Sequence, residues 1–352
     1  MCALYISLCV FLHTMPIQKT IAITIGDVNG IGPEVVLKAL QAWQPPSFVR
    51  VVLLGPQAAW QFWQERLQLE LHAPVVSDLA SWPSPAPIVL FDTMRISQAV
   101  EIGKATITSG KVAGDALIAA TDLASPKLIQ AIVTAPVSKF ALAQAGYHYP
   151  GQTEFVAQRL GAKKFAMMLM AGSFRVALVT THLSLRKVAE AISRAKIVAQ
   201  LRVVDQELKT RFGIAQPRIA VTGLNPHAGE GGLLGEEEQT IIAPAIAQAF
   251  SEGIVAEGPF SADALFGKFA QSHHEKSASS FDAYLAMYHD QGLIPLKIFG
   301  FGHAVNYTAG LPVIRISPDH GTAYDIAGQG LAQPTSMIEA LKLAVALLTK
   351  EH

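Results

Sequence analysis

The chain has 352 residues, 51% of them apolar and only 15% charged, with 27 Lys plus Arg set against 27 Asp plus Glu. That length exceeds what one hydrophobic core usually fills, so two domains are expected, and the balanced charge excludes a global basic surface for nucleic acid or a global acidic one. The only cysteines, Cys2 and Cys9, exclude an internal disulfide or a thiolate metal site in the body of the chain and fit a reducing, cytoplasmic setting.

Residues 2–12 are apolar but lack the basic start and small-residue cleavage site of a secretory signal. They also fall short of the roughly 20 residues of a spanning helix. Residues 1–14 are read as a non-native or disordered extension, with Met15 as the start of the protein proper. No other stretch is long and apolar enough to call for a membrane partner. Residues 21–25 form the first expected strand, followed by a turn with Gly26, Asp27, Asn29 and Gly30 and a helix with Pro33 and Glu34 in its first turn. Val35 stands where the dinucleotide fingerprint needs its third glycine, so that motif is rejected. Two readings of the glycines remain, a backbone need or a ligand-facing loop.

Strands over 49–54, 88–91 and 129–133 alternate with helices over 58–67 and 110–123, the pattern of a mostly parallel α/β sheet. Lys139 lies where a strand ends and a helix begins, either facing an anion or standing on the surface, and residues 150–154 make another turn into a helix. Residues 165–170 and 174–180 read as an antiparallel hairpin, so the middle region is not purely parallel. Helices are expected over 185–192 and 201–212, a strand over 218–222 and an exposed polar loop over 271–280. A last helix opens with Ser336 and Glu339 as a capping box and buries Ile338, Leu341, Val345 and Leu348.

Chemistry concentrates between residues 284 and 330, where short strands over 284–287, 304–308 and 313–317 enter and leave glycine-rich turns. His289, Asp290, Lys297, Asn306, Arg315, Asp319, His320 and Asp325 all fall there, in a chain otherwise sparing with charge. Three histidines each follow an apolar strand: His182, His227 and His289. Strand carboxyl ends border the ligand crevice in open α/β sheets, so three imidazoles there point to an open metal site, with zinc or cobalt suiting nitrogen better than magnesium does. Taken singly, each also reads as a hydrogen-bonded core histidine.

From Thr20 to about Leu348 the sequence resembles the 4-hydroxythreonine-4-phosphate dehydrogenase family of vitamin B6 biosynthesis, through GDVNGIGPE, TAPVSK, GQTEF, VTTHLSLR, GLNPHAGEGG, MYHDQGLIPLK, VNYTAGLP and SPDHGTAYDIAGQG. The resemblance implies an isopropylmalate-dehydrogenase-like fold of two α/β/α domains, with mostly parallel sheets containing some antiparallel strands and the active site in the interdomain cleft. Residues 15–130 with 306–352 would form the first domain and 131–305 the second. It further implies a homodimer with shared active sites, a divalent metal (zinc, cobalt or magnesium) on His182, His227 and His289, and substrate contacts from Thr153, Lys297, Asn306 and Arg315. The family usually has histidine where this chain has Gln152, which donates a hydrogen bond but cannot become cationic. His148, four residues earlier, is a candidate to compensate.

The tail also resembles the adenosine-binding loop of the isocitrate and isopropylmalate dehydrogenases. By that likeness His320, Gly321, Thr322 and Ala323 approach NAD, and Asp325 accepts from its ribose, which disfavours a 2′-phosphate. The activity implied is NAD-dependent oxidative decarboxylation of 4-phosphooxy-L-threonine, with Asp290 and Lys139 as candidate general bases. Rivals are a paralogous dehydrogenase of a phosphorylated four-carbon sugar acid, a zinc hydrolase of a phosphorylated metabolite, and a binding protein without turnover.

Overall fold

The computed structural model describes residues 18–93, 100–125, 128–277 and 279–350, so the extension read over 1–14 lies outside them. The strands are β1 (Lys19–Thr24), β2 (Val49–Leu54), β3 (Val75–Val76), β4 (Ile88–Phe91), β5 (Ala131–Thr134) and β6 (Ala166–Ala171). They continue with β7 (Phe174–Leu178), β8 (Arg218–Thr222), β9 (Val255–Phe260), β10 (Ala283–Ala286), β11 (Val305–Ala309) and β12 (Ile314–Pro318). Among the described residues these form one continuous sheet, ordered β3-β4-β2-β1-β5-β12-β11-β6-β7-β10-β8-β9. Most pairings are parallel, but β12–β11, β11–β6 and β6–β7 are antiparallel. Three successive reversals leave the parallel block β7, β10, β8, β9 running opposite to the block β4, β2, β1, β5, β12. The strand ends that precede His182, His227 and His289 therefore share one direction, and those that precede Gly26, Lys139 and Asp319 share the other.

The helices are α1 (Gly32–Ala42), α2 (Gln57–Leu67), α3 (Ile107–Asp122), α4 (Lys139–Gln144), α5 (Gln152–Arg159), α6 (Val188–Ala191), α7 (Arg194–Thr210), α8 (Ala243–Ser251), α9 (Ala262–His274), α10 (His289–Gly300) and α11 (Thr335–Leu348). The expected mostly parallel α/β architecture with some antiparallel strands is what the chain adopts. β5, in the expected second domain, sits between β1 and β12, and β11, almost all in the first, sits between β12 and β6. No described helix is long and apolar enough to cross a membrane.

Three local readings need correction. The segment after β10 is not only a turn: α10 starts at His289 and runs through Gly292 and Pro295. A Cβ on Gly292 would lie 2.5 Å from Val176 Cγ1, so that glycine lets the helix press on the sheet. The polar segment 271–280 begins inside α9, which continues to His274. Ser336 does not cap α11; its hydroxyl donates to the Ala304 carbonyl at 2.6 Å and accepts from the Asp319 amide at 3.1 Å. Glu339 instead pairs with Lys342 at 2.9 Å. The helix still buries Leu341 and Leu348 as expected, with Met337, Ala340, Ala344 and Leu347 beside them, while Ile338 and Val345 are only partly buried.

Candidate active site

Side chains alternate across a strand, so Asn306 and Thr308 of β11 share a face. Asn306 pairs in register with Ser317 of β12 and Leu169 of β6, which puts Arg315 and Ser317 on that same face. Arg315 is fully buried. Its guanidinium donates to Thr153 Oγ1 (3.1 Å) on α5, Thr308 Oγ1 (3.1 Å) and Thr134 Oγ1 (2.8 Å) at the end of β5. Among the described residues no carboxylate lies within ion-pair distance of it, and its Nε has no partner. Burial pushes this guanidinium down to about 10, and the field of Glu154 only partly offsets that. A buried cation held by neutral hydroxyls is costly unless an anion completes it.

Other unpartnered buried atoms occur on the site residues: Gln152 Oε1, Asn306 Oδ1 and His320 Nε2. Each is a polar group withdrawn from water, of the kind a ligand satisfies. Glu154, beside Thr153 in the first turn of α5, acts electrostatically on both Arg315 and His182. A Cβ on Gly151 would meet Glu154 Oε2 at 2.9 Å and Lys139 Nζ at 3.8 Å, so the glycine leaves room for a carboxylate and an ammonium side by side. Lys139 opens α4 behind the Ser138 cap, and its charge reaches His182.

His182 and His289 come together, with ring centroids 5.8 Å apart. Burial, then Lys139 and His289, hold His182 below the usual imidazole range, which favours the neutral form a metal needs. His289 Nδ1 lies 2.7 Å from Asp290 Oδ1, so the exposed Asp290 carboxylate orients the ring and leaves Nε2 to a ligand. His227 is not joined to them: among the described residues no three His, Cys, Asp or Glu side chains gather as a metal-holding group. The chain thus supplies a pair of imidazoles suited to zinc or cobalt, with the third expected ligand standing apart.

His227 lies in a turn of left-handed backbone, with φ of 51° at His227, 52° at Ala228 and 44° at Glu230. Such conformations cost about 1–2 kcal/mol each for residues other than glycine and persist where surroundings enforce them. Here Glu238 does so, accepting from the Leu224 and Asn225 amides (both 2.7 Å) and from Asn225 Nδ2 (2.9 Å). Burial raises the Glu238 carboxyl, but these donors outweigh it and hold the group below the usual glutamate range.

The expected cofactor loop follows β12. Glu34 and Lys38 of α1 grip it through the Ala332 amide (3.0 Å) and the Gly330 and Ala332 carbonyls (2.7 and 2.9 Å), while Arg66 holds the Gly328 carbonyl at 3.1 Å. Asp27 is fully buried and accepts from the Asn29 amide, Ser109 and Tyr324 (2.9, 3.1 and 2.7 Å), although burial raises its carboxyl. Gly30 lies where a Cβ would be 2.7 Å from the Thr322 carbonyl. The first glycine turn therefore acts as the seat of the loop expected to hold the cofactor, which favours the backbone reading of its glycines. Within the loop, burial lowers His320, and Gly321 and Asp325 are exposed. Asn306 and Lys297 stand on β11 and α10, and Lys297 pairs with Asp319 at 3.1 Å.

Sequence reasoning missed Thr134, Thr308, Glu154 and Asp27. Thr308 was within reach, because it sits two residues from Asn306 on one strand face.

Fold and site together define an α/β chain with a buried arginine held by three threonine hydroxyls and a pair of adjacent histidines. The sequence model of the family described as pyridoxal phosphate biosynthetic protein PdxA matches residues 49–344, and the chain belongs to that family. A 4-hydroxythreonine-4-phosphate dehydrogenase of Thioalkalivibrio sulfidiphilus is 43% identical over 343 residues, 96% of this chain and 99% of that protein. A D-threonate 4-phosphate dehydrogenase of Salmonella typhimurium is 41% identical over 332 residues, 94% of this chain and 99% of that one. The crystal structure of a 4-hydroxythreonine-4-phosphate dehydrogenase from Klebsiella pneumoniae shares 38% identity and superposes with a TM-score of 0.82 over 94% of this chain and 99% of its own.

Proposed function

We propose that the chain oxidises 4-phosphooxy-L-threonine with NAD and releases the carboxyl group as CO2, giving 3-amino-2-oxopropyl phosphate for pyridoxal 5′-phosphate synthesis in the cytoplasm. The observation that carries this is Arg315, fully buried and cradled by three threonine hydroxyls, with no carboxylate at ion-pair distance among the described residues. A phosphate or carboxylate is the partner that would complete it. Lys297, Asn306, Thr153 and Gln152 would fix the rest of the substrate, so that binding energy from its anionic ends orients the alcohol carbon. The alcohol loses its hydride to the nicotinamide and its proton to a base, for which Lys139 is better placed than Asp290, since Asp290 is engaged with His289. The resulting ketone stands β to the carboxylate, whose C–C bond then breaks with its electron pair passing to the ketone oxygen. The enolate left behind takes a proton at its amino-bearing carbon to give the product. His182 and His289 would hold a divalent metal, which would supply Lewis-acid chemistry there. The loop from His320 to Asp325 would hold NAD, a reading supported by the buried, unpartnered His320 Nε2.

The homodimer belongs to the same proposal. Ile294 (57% exposed), Ile298 (65%) and Phe301 (82%) form an apolar stripe along α10, with Leu183, Leu185, Leu233 and Leu234 exposed near His182 and His227. A second copy over these surfaces would bury them and bring in the third histidine.

A second substrate has its own support. The D-threonate 4-phosphate dehydrogenase is as similar as the other relatives, and Gln152 replaces the family's usual histidine with its Oε1 unpartnered. Formation of NADH is to be followed with 4-phosphooxy-L-threonine and with D-threonate 4-phosphate at matched concentrations. A kcat/KM at least tenfold higher for the first supports the proposal; the reverse order transfers the chain to the second substrate, and silence with both rejects the dehydrogenation.

A further inference from the structure

We infer that Asp319 is the positioning residue that aims Lys297 into the site, an inference that rests on the proposed phosphorylated substrate. A lysine ammonium is a point charge on a flexible stem, and holding it in one place needs a fixed partner. Lys297 lies in the last turn of α10 with its side chain 53% exposed, and its Nζ is 3.1 Å from the Asp319 carboxylate, which is only 18% exposed. Asp319 has little freedom of its own. Its amide donates to the Ser336 hydroxyl at 3.1 Å, and that hydroxyl donates to the Ala304 carbonyl at 2.6 Å, tying the exit of β12 to the entry of β11 and to the first turn of α11.

Three further features give this pair a purpose other than stability. A half-exposed ion pair contributes only about 0–1 kcal/mol to folding. Asp319 directly follows β12, four residues after Arg315, so the pair holds Lys297 from the end of the strand that carries Arg315. Asp319 is also followed directly by His320, whose ring feels both Asp319 and Lys297 and whose Nε2 is buried without a partner. One carboxylate therefore links the substrate lysine on α10 to the loop expected to hold the cofactor.

The test is a double-mutant cycle of Asp319→Asn and Lys297→Met, read in KM and kcat for the phosphorylated substrate. Asp319→Asn is expected to raise KM about tenfold with kcat changed less than about twofold, the signature of a misplaced binding group. Asp319→Glu should recover part of that loss. In the Lys297→Met background Asp319→Asn should add nothing, because the effect passes through the lysine. Equal effects with and without Lys297, or an unchanged KM in Asp319→Asn, would overturn the inference. A readout free of substrate separates this from failure of the proposed reaction. Labelling of Lys297 by trinitrobenzenesulfonate, located by peptide mass spectrometry, should quicken at least severalfold in Asp319→Asn because the ammonium loses its partner. An unchanged labelling rate would reject the pairing even where wild-type turnover is normal, and quickened labelling would sustain it even where no NADH forms.

Discussion

Arg315 and its three threonines form a buried cluster that the single chain finishes by itself, whereas His182 and His289 pair at the ends of β7 and β10 and His227 does not complete a group of three with them. The first region is built by strand alternation and one helix start, with every contact inside the fold. The second is built from the segments after β7 and β8 and the start of α10, beside exposed apolar side chains and a strained turn. Burial fixes the arginine in place, and on the proposed reading the exposed rim would be completed by a metal and a second copy. On that proposal, binding falls to the first region and chemistry to the second.

The largest effect is expected at Arg315. Arg315→Met removes a buried hydrogen-bonded charge, a change of about 2–5 kcal/mol, so kcat/KM for the phosphorylated substrate should fall about thirtyfold to a few thousandfold. Calorimetry should show that the loss lies in substrate binding. On the open side, Asp290→Asn leaves His289 in place but frees its ring, which by analogy with outer-shell partners of metal ligands costs about 10–100-fold in metal affinity. That is to be measured by zinc titration; unchanged zinc affinity with lost turnover would instead make Asp290 the base.

Ile298→Glu places a charge in the exposed apolar stripe of α10. Sedimentation should then show monomer at concentrations where the parent protein is a dimer, with turnover falling in parallel, since the histidine region is left incomplete. A monomer with full activity would break the comparison. The smallest effect concerns the His227 turn. Glu238 has its folded carboxyl held below the ordinary glutamate range, so its contribution is fully present above about pH 4.5 and is lost as pH falls through the depressed value. Glu238→Gln should lower Tm by a few degrees at neutral pH, corresponding to about 1–2 kcal/mol from charge-assisted hydrogen bonds. That deficit should shrink as the melt is repeated toward pH 3.

Much of this architecture is legible in the chain. Apolar runs bounded by glycine and proline marked β1, β2, β4, β5, β8, β10, β11, β12 and the β6–β7 hairpin, because buried strands carry a strong local signal. Helix α10 was hidden by Gly292, Pro295 and Gly300, residues that local propensity reads as breakers but that serve close packing on the sheet or end the helix. Edge strand β9 was missed for a similar reason, with Gly258 and Pro259 inside it. At the site, Arg315 and His289 were found through motifs, yet the threonine cradle was not, since Thr134, Thr153 and Thr308 meet only through contacts 7 to 181 residues away from Arg315. Spacing along the sequence likewise said nothing of how far His227 would stand from His182 and His289.

The most direct measurement compares substrate binding and NADH formation in protein stripped of metal by a chelator, with metal content verified by mass spectrometry. The finished arginine pocket predicts that 4-phosphooxy-L-threonine still binds while turnover stops, and that added zinc or cobalt restores it. Full turnover in metal-free protein would contradict the division of labour between the two regions, as would loss of all binding with the metal.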